Sequence, residues 1–157
     1  MNERCMPLRV YLAGPAAELD RVCEASGVLI ASSCDITEPW WGRVAEATRR
    51  GWTHDSDVPA DYMREGAQRN QRGIDTADVV IALARSTGGF SSGCAGEIGY
   101  AIAIHYAERV ERDRNVIILV GDMKGFIWSH LACVIIVPTM GEALKVLHEP
   151  IARRVSV

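Results

Sequence analysis

Short, unbroken apolar runs alternate with longer helix-like stretches along the whole chain, and this alternation constrains the fold more than any other feature. The runs are Leu8 to Ala13, Val28 to Ser32, Ala77 to Ala84, Val116 to Val120 and Cys133 to Val137, the last stopped by Pro138. A strand covered on one face alternates apolar and polar residues, whereas a strand covered on both is apolar throughout; these runs are of the second kind and predict a parallel sheet. Helices are predicted at Ala16 to Ser26 closed by Gly27, Trp40 to Arg50 closed by Gly51, and Ala60 to Thr76 after Pro59. Two more are predicted at Gly93 to Arg109 after a Gly/Ser loop and at Met140 to His148 before Pro150. Strand and helix alternating through the whole chain predict a doubly wound five-stranded α/β layer sandwich.

The 157 residues are expected to form a single domain spanning 1–157. With 48% hydrophobic and 24% charged residues the composition is that of a globular chain and not of a disordered one. A net charge of -3 and a pI near 5.8 speak against a broad basic surface, so neither polymeric nucleic acid nor a membrane surface is an expected partner. No apolar run approaches the roughly 18 to 20 residues of a membrane span. The chain enters its first apolar run almost at once, so no signal peptide is expected. Its five cysteines are odd in number and scattered, with no C-x-x-C pair, which reads as reduced thiols in a cytoplasmic protein. No metal and no cofactor are expected. His54, His105, His130 and His148 show no ligand spacing.

In a parallel sheet ordered 2-1-3-4-5, ligands bind beyond the carboxyl ends of strands one and three, where the strand order reverses. Two glycine-bearing loops leave those strands: Gly14-Pro15, and the stretch from Arg85 through Glu97. Neither has the lysine of a phosphate-binding loop, nor the G-x-G-x-x-G of a dinucleotide fold. The second runs into a predicted helix start, where free N–H groups favour an anion. Glu97 falls in the first predicted turn, between Gly96 and Gly99. An acid there can simply complement the helix dipole; equally, the glycines leave one carboxylate open to a small ligand. The connection from Asp35 to Asp57 is long and carries Trp40, Trp41 and Trp52, the first two side by side. It is either a surface helix capping the sheet or a wall that stacks a planar ligand.

Three stretches in order carry a family resemblance. They are Val10-Tyr11-Leu12-Ala13-Gly14-Pro15, Asn70-x-x-x-Ile74-x-x-Ala77-Asp78-Val79-Val80-Ile81-Ala82, and Ser91-x-Gly93-x-x-x-Glu97-Ile98-Gly99-Tyr100-Ala101. The sequence resembles the nucleoside 2-deoxyribosyltransferase superfamily, which includes base-exchanging transferases and hydrolases of nucleoside 5'-monophosphates. The resemblance spans roughly residues 8 to 122. It implies a flavodoxin-like fold, a small nucleoside or nucleotide as ligand, and a homodimer or higher homo-oligomer. It also implies that Glu97 attacks the anomeric carbon to form a glycosyl ester, with Tyr11 near the carboxylate. Chemically, an ionised carboxylate opposite a sugar ring suits an oxocarbenium-like transition state.

Two departures bear on the substrate. The transferases carry an aspartate at the position of Ser91, where it receives the sugar 5'-hydroxyl; the hydrolases have Ser-x-Gly, as here. A hydroxyl with free N–H groups at Ser91, Ser92 and Gly93, facing Gly14 and Pro15, suits a phosphate that a carboxylate would repel. The hydrolases usually have an arginine shortly after the first-loop glycine. Here Ala16 and Ala17 occupy that stretch, leaving Arg21 as a substitute from the next helix, and Pro15 is more transferase-like. At Asn70 the family usually has an aspartate that assists base protonation, and an amide cannot deliver a proton. Either Asp35 or Asp75 serves instead, or the leaving base needs little acid help, or the protein binds without turnover. The expectation is an N-glycosidase acting on a (deoxy)nucleoside 5'-monophosphate, with Glu97, Tyr11 and Asn70 at the reacting centre. The alternatives are base transfer between deoxynucleosides and a non-catalytic nucleotide-binding domain.

Overall fold

A computed structural model describes residues 7–107, 116–123, 125–131 and 133–148. The end of the predicted fourth helix, at residues 108 and 109, lies outside these. The described elements are β1 (Leu8–Ala13), α1 (Leu19–Ala31), β2 (Cys34–Ile36), α2 (Trp41–Arg49), α3 (Ala60–Thr76), β3 (Val79–Leu83), α4 (Ser92–Ala107), β4 (Val116–Val120), β5 (Val134–Val137) and α5 (Met140–His148). The five strands form one all-parallel sheet in the order β2-β1-β3-β4-β5, flanked by helices, a flavodoxin-like three-layer sandwich. Val10 pairs with Val79, Val79 with Val116, and Val120 with Val137. All five residues of β3 are buried, as a strand covered on both faces requires. No helix among the described residues is long and apolar enough to cross a membrane.

The expected second strand is not where its apolar run lies. Val28 to Ser32 falls at the end of α1, and the strand is the three-residue Cys34–Ile36. Val22, Ala25, Ser26 and Leu29 are the buried residues of α1, at the i, i+3, i+4, i+7 spacing of one helix face. Val28 and Ile30 point outward, 36% and 59% exposed, so the run that reads as strand is half a helix face and half surface. Gly27 does not end the helix. The stop comes at Ser33, whose φ of 62° turns the chain into β2.

Helix α3 is set by a single close approach. Of its 17 residues only Gly73 and Ile74 are buried. A Cβ at Gly73 would stand 2.7 Å from Glu38 Cβ and 2.9 Å from Tyr11 Cδ2. The helix backbone therefore lies directly on β1 and on the segment after β2, and this contact carries Asn70 to the sheet. Gly73→Ala gains about 1 kcal/mol of helix propensity but forces the packing apart at a cost of about 1 to 3 kcal/mol. Neither neighbour is a flexible chain end, so the clash wins. Denaturant titration is expected to show a less stable variant; one as stable as wild type would contradict this packing.

Candidate functional site

β1 and β3 are adjacent strands between which the order reverses, the place where a parallel sheet of this kind binds its ligand. Gly14 and Pro15 leave β1 into a 3-10 turn at Ala16–Glu18. Both are buried. A Cβ on Gly14 would meet Val22 Cγ2 at 2.8 Å, so this glycine lets α1 pack close to the strand end. On the other side, Ser91 precedes α4 and its Oγ accepts the Cys94 N–H at 3.3 Å, as a helix cap does. Ser92 and Gly93 are exposed in the first turn.

The start of α4 at Ser92 corrects the position expected for Glu97. It is the sixth helical residue, in the second turn rather than the first. The helix dipole weakens within the first turn, so Glu97 is held instead by specific bonds. Tyr11 Oη donates to Glu97 Oε1 at 2.8 Å, and Asn70 Nδ2 donates to the same oxygen at 2.9 Å. Three separate elements, β1, α3 and α4, thus converge on one carboxylate. Oε2 receives no hydrogen bond from the described residues. Burial raises the Glu97 pKa above its ordinary value, and the two hydrogen bonds oppose that rise by favouring the charged form. Tyr11 is fully buried; burial first, then the Glu97 charge, pushes its hydroxyl far above the ordinary range, so it remains a donor. The buried Cys94 thiol is pushed up in the same way and stays protonated.

Asp35 and Asp75 do not reach this carboxylate. Asp35 is exposed in β2, opposite Arg9, and Asp75 accepts a hydrogen bond from Tyr100 Oη at 2.8 Å. The buried acid near the site is Glu38, only 7% exposed, whose Cβ lies against Gly73 as the Tyr11 ring does. Arg69 Nε donates to Glu38 Oε2 at 3.3 Å and lies 3.2 Å from Oε1 without hydrogen-bond geometry. Glu38 Oε1 and Asn70 Oδ1 are both buried acceptors with no hydrogen-bond partner among the described residues. Sequence reasoning missed Glu38, because a second strand set too early left it deep in a loop. With β2 at Cys34–Ile36, it stands two residues past a strand end at the ligand-binding edge.

A groove of about 650 Å³ opens between α2, α3 and the segment joining them, and Asn70 is part of its wall. Trp40, Trp52, Tyr62 and Met63 supply much of its apolar lining. Trp40 is anchored, its Nε1 donating to Leu12 O at 2.7 Å. Trp41 packs edge-on to Trp40 at 5.9 Å, half-buried against the core and outside the groove lining. Trp52, the third tryptophan of the long connection, meets Tyr62, which the sequence did not single out, edge-on at 5.2 Å. The family model comparison and the curated proteins were equally silent: none matches this chain.

Arg21, the substitute cation for a phosphate, is already engaged. It pairs with Glu18, and its Nη1 donates to Ala84 O at 3.2 Å. The Glu18 carboxylate also accepts from Ser86 N and Ser86 Oγ, each at 3.0 Å, tying the loop after β1 to the loop after β3. These donors hold the Glu18 carboxyl below its ordinary pKa.

Proposed function

We propose that the protein cleaves the N-glycosidic bond of a (deoxy)nucleoside 5'-monophosphate, releasing the base and a sugar phosphate. The observation that carries this reading is the asymmetric carboxylate of Glu97. One oxygen is fixed by Tyr11 and Asn70, and the other receives no hydrogen bond from the described residues at the strand-order reversal, where a nucleophile is needed. Oε2 attacks the anomeric carbon as the base departs, and water then resolves the ester. The base lies in the groove that begins at Asn70, and the phosphate meets the Ser91 hydroxyl and the N–H groups around Gly93.

Base transfer between deoxynucleosides is the second reading. Its support is Arg21, the expected cation for the phosphate, which is already paired with Glu18. A panel of nucleotides and nucleosides, with and without an acceptor base, separates the two. Free base without acceptor supports hydrolysis, and release only with acceptor supports transfer. Tight binding without products would overturn both and leave a binding domain.

The placement of the base makes a direct prediction. Trp52→Ala is expected to weaken nucleotide binding by about 1 to 3 kcal/mol, the scale of base–aromatic stacking, while Trp41→Ala leaves the affinity unchanged. Fluorescence titration reads both. Loss of affinity in the Trp41 variant alone would move the base out of the groove.

A further inference from the structure

We infer that the base expelled by this site is cationic: a nucleotide whose heteroaromatic ring carries a formal positive charge, such as a pyridinium or an N7-alkylated purine. The inference rests on the proposed cleavage at Glu97 and names its substrate class.

The argument begins with the proton. A neutral base departs as an anion unless an acid protonates it, and such an acid typically contributes 10²–10⁴ in rate. The groups bonded to Glu97 do not supply one. Tyr11 is fully buried, gives its hydroxyl hydrogen to Glu97, and holds that proton far more tightly than a free phenol. Asn70 is an amide, with Nδ2 committed to Glu97. Glu38 is paired with Arg69, and Asp75 is bonded by Tyr100. His54 and Asp55 also line the groove, as exposed residues of the α2–α3 connection.

A cationic ring removes the requirement. The glycosidic electron pair moves to the ring and cancels its charge, so the base leaves neutral with no proton delivered. Glu97 Oε2 forms the new bond to the anomeric carbon. Water then displaces the carboxylate, giving the sugar phosphate and one proton to solvent.

The groove suits such a ring. Its wall presents the indoles of Trp40 and Trp52 and the ring of Tyr62, and aromatic faces attract cations. Cations already lie over two of them: Arg43 stands 4.0 Å from the Tyr62 centroid and Arg50 5.1 Å from that of Trp52. Both guanidinium groups are paired, Arg43 with Glu65, which Arg69 shares, and Arg50 with Glu46. At the Asn70 end, Asn70 Oδ1 is a buried acceptor with no hydrogen-bond partner among the described residues, which adds negative potential.

The test compares N7-methylguanosine 5'-monophosphate with guanosine 5'-monophosphate, and nicotinamide mononucleotide as the pyridinium arm. Base release by the full chain is divided by each compound's spontaneous rate. The expected enhancement is at least about 100-fold greater for a cationic base than for the neutral one, the low end of what a missing acid withholds. The two cationic arms show which ring the groove accepts. Asn70→Asp is expected to raise release of guanine with a new basic limb in its pH profile, without raising release from either cationic compound. Equal enhancement for neutral and cationic bases would overturn the inference while leaving the cleavage reading intact. So would an unchanged ratio in the Asn70 variant, or loss of neutral-base release in His54→Ala, which would identify a groove acid. No release from any compound would overturn the cleavage reading itself, and this inference with it.

Discussion

Glu97→Gln is expected to lose at least about three orders of magnitude in the rate of base release, on the scale of deleting a covalent nucleophile. Glutamine keeps an oxygen that can accept from Tyr11 and Asn70, so the side chain stays in place while its nucleophilic charge is gone. The fold should not suffer. Burial raises the folded-state pKa of Glu97, so its contribution to stability is fully present below its unfolded pKa and is lost as pH rises through the folded one. At neutral pH the uncharged variant should therefore be at least as stable as wild type. The same shift fixes the acid limb of the rate, which should lie above the ordinary carboxylate value of 4.5 because the nucleophile must be ionised. Tyr11→Phe removes a bond that favours the ionised form and should move that limb to still higher pH. A Glu97→Gln variant with more than about a tenth of wild-type activity, a deficit under 1.4 kcal/mol, would remove Glu97 from the chemistry.

Ser91→Asp is expected to have the next largest effect, with opposite signs for two substrates. Aspartate is as good a helix cap as serine, so the start of α4 should survive the change. Its charge would stand close to the proposed phosphate, and two like charges at 4 Å repel by about 4 kcal/mol at an effective dielectric of 20. Cleavage of a monophosphate should fall roughly a thousandfold. Cleavage of the matching nucleoside should hold or rise, since a carboxylate can accept the 5'-hydroxyl. Wild-type activity should also be inhibited by inorganic phosphate or sulfate. A wild type that prefers nucleosides and ignores those anions would favour the base-transfer reading, in line with an Arg21 already held by Glu18.

The sheet was legible in the sequence because four of its five strands are apolar on both faces, and no helix face requires that pattern. Val28 to Ser32 misled for the same reason in reverse: a helix end with outward-facing Val28 and Ile30 looks like a buried strand. The true β2 has three residues, with Asp35 exposed at its centre, and is too short and too polar at an edge to announce itself. The meeting of Tyr11, Asn70 and Glu97 was implied by resemblance, but their bonding pattern was not. Which oxygen of Glu97 is held depends on Gly73 letting α3 down onto Tyr11, a contact between residues 62 apart that no local pattern encodes. Trp40 was visible as an aromatic in a long connection. Trp52 was visible in the same connection, but Tyr62 was not, because only packing brings the start of α3 against it.

The central claim is that Glu97 becomes covalently bonded to the sugar. It is tested most directly by mass spectrometry of the intact protein, acid-quenched during turnover of a nucleotide whose sugar carries fluorine at C2' to slow hydrolysis of the ester. The account predicts a mass increase equal to one fluorinated sugar phosphate, located by peptide mapping to Glu97 and missing from Glu97→Gln. Base release with no adduct under these conditions, or an adduct on any other residue, would contradict it.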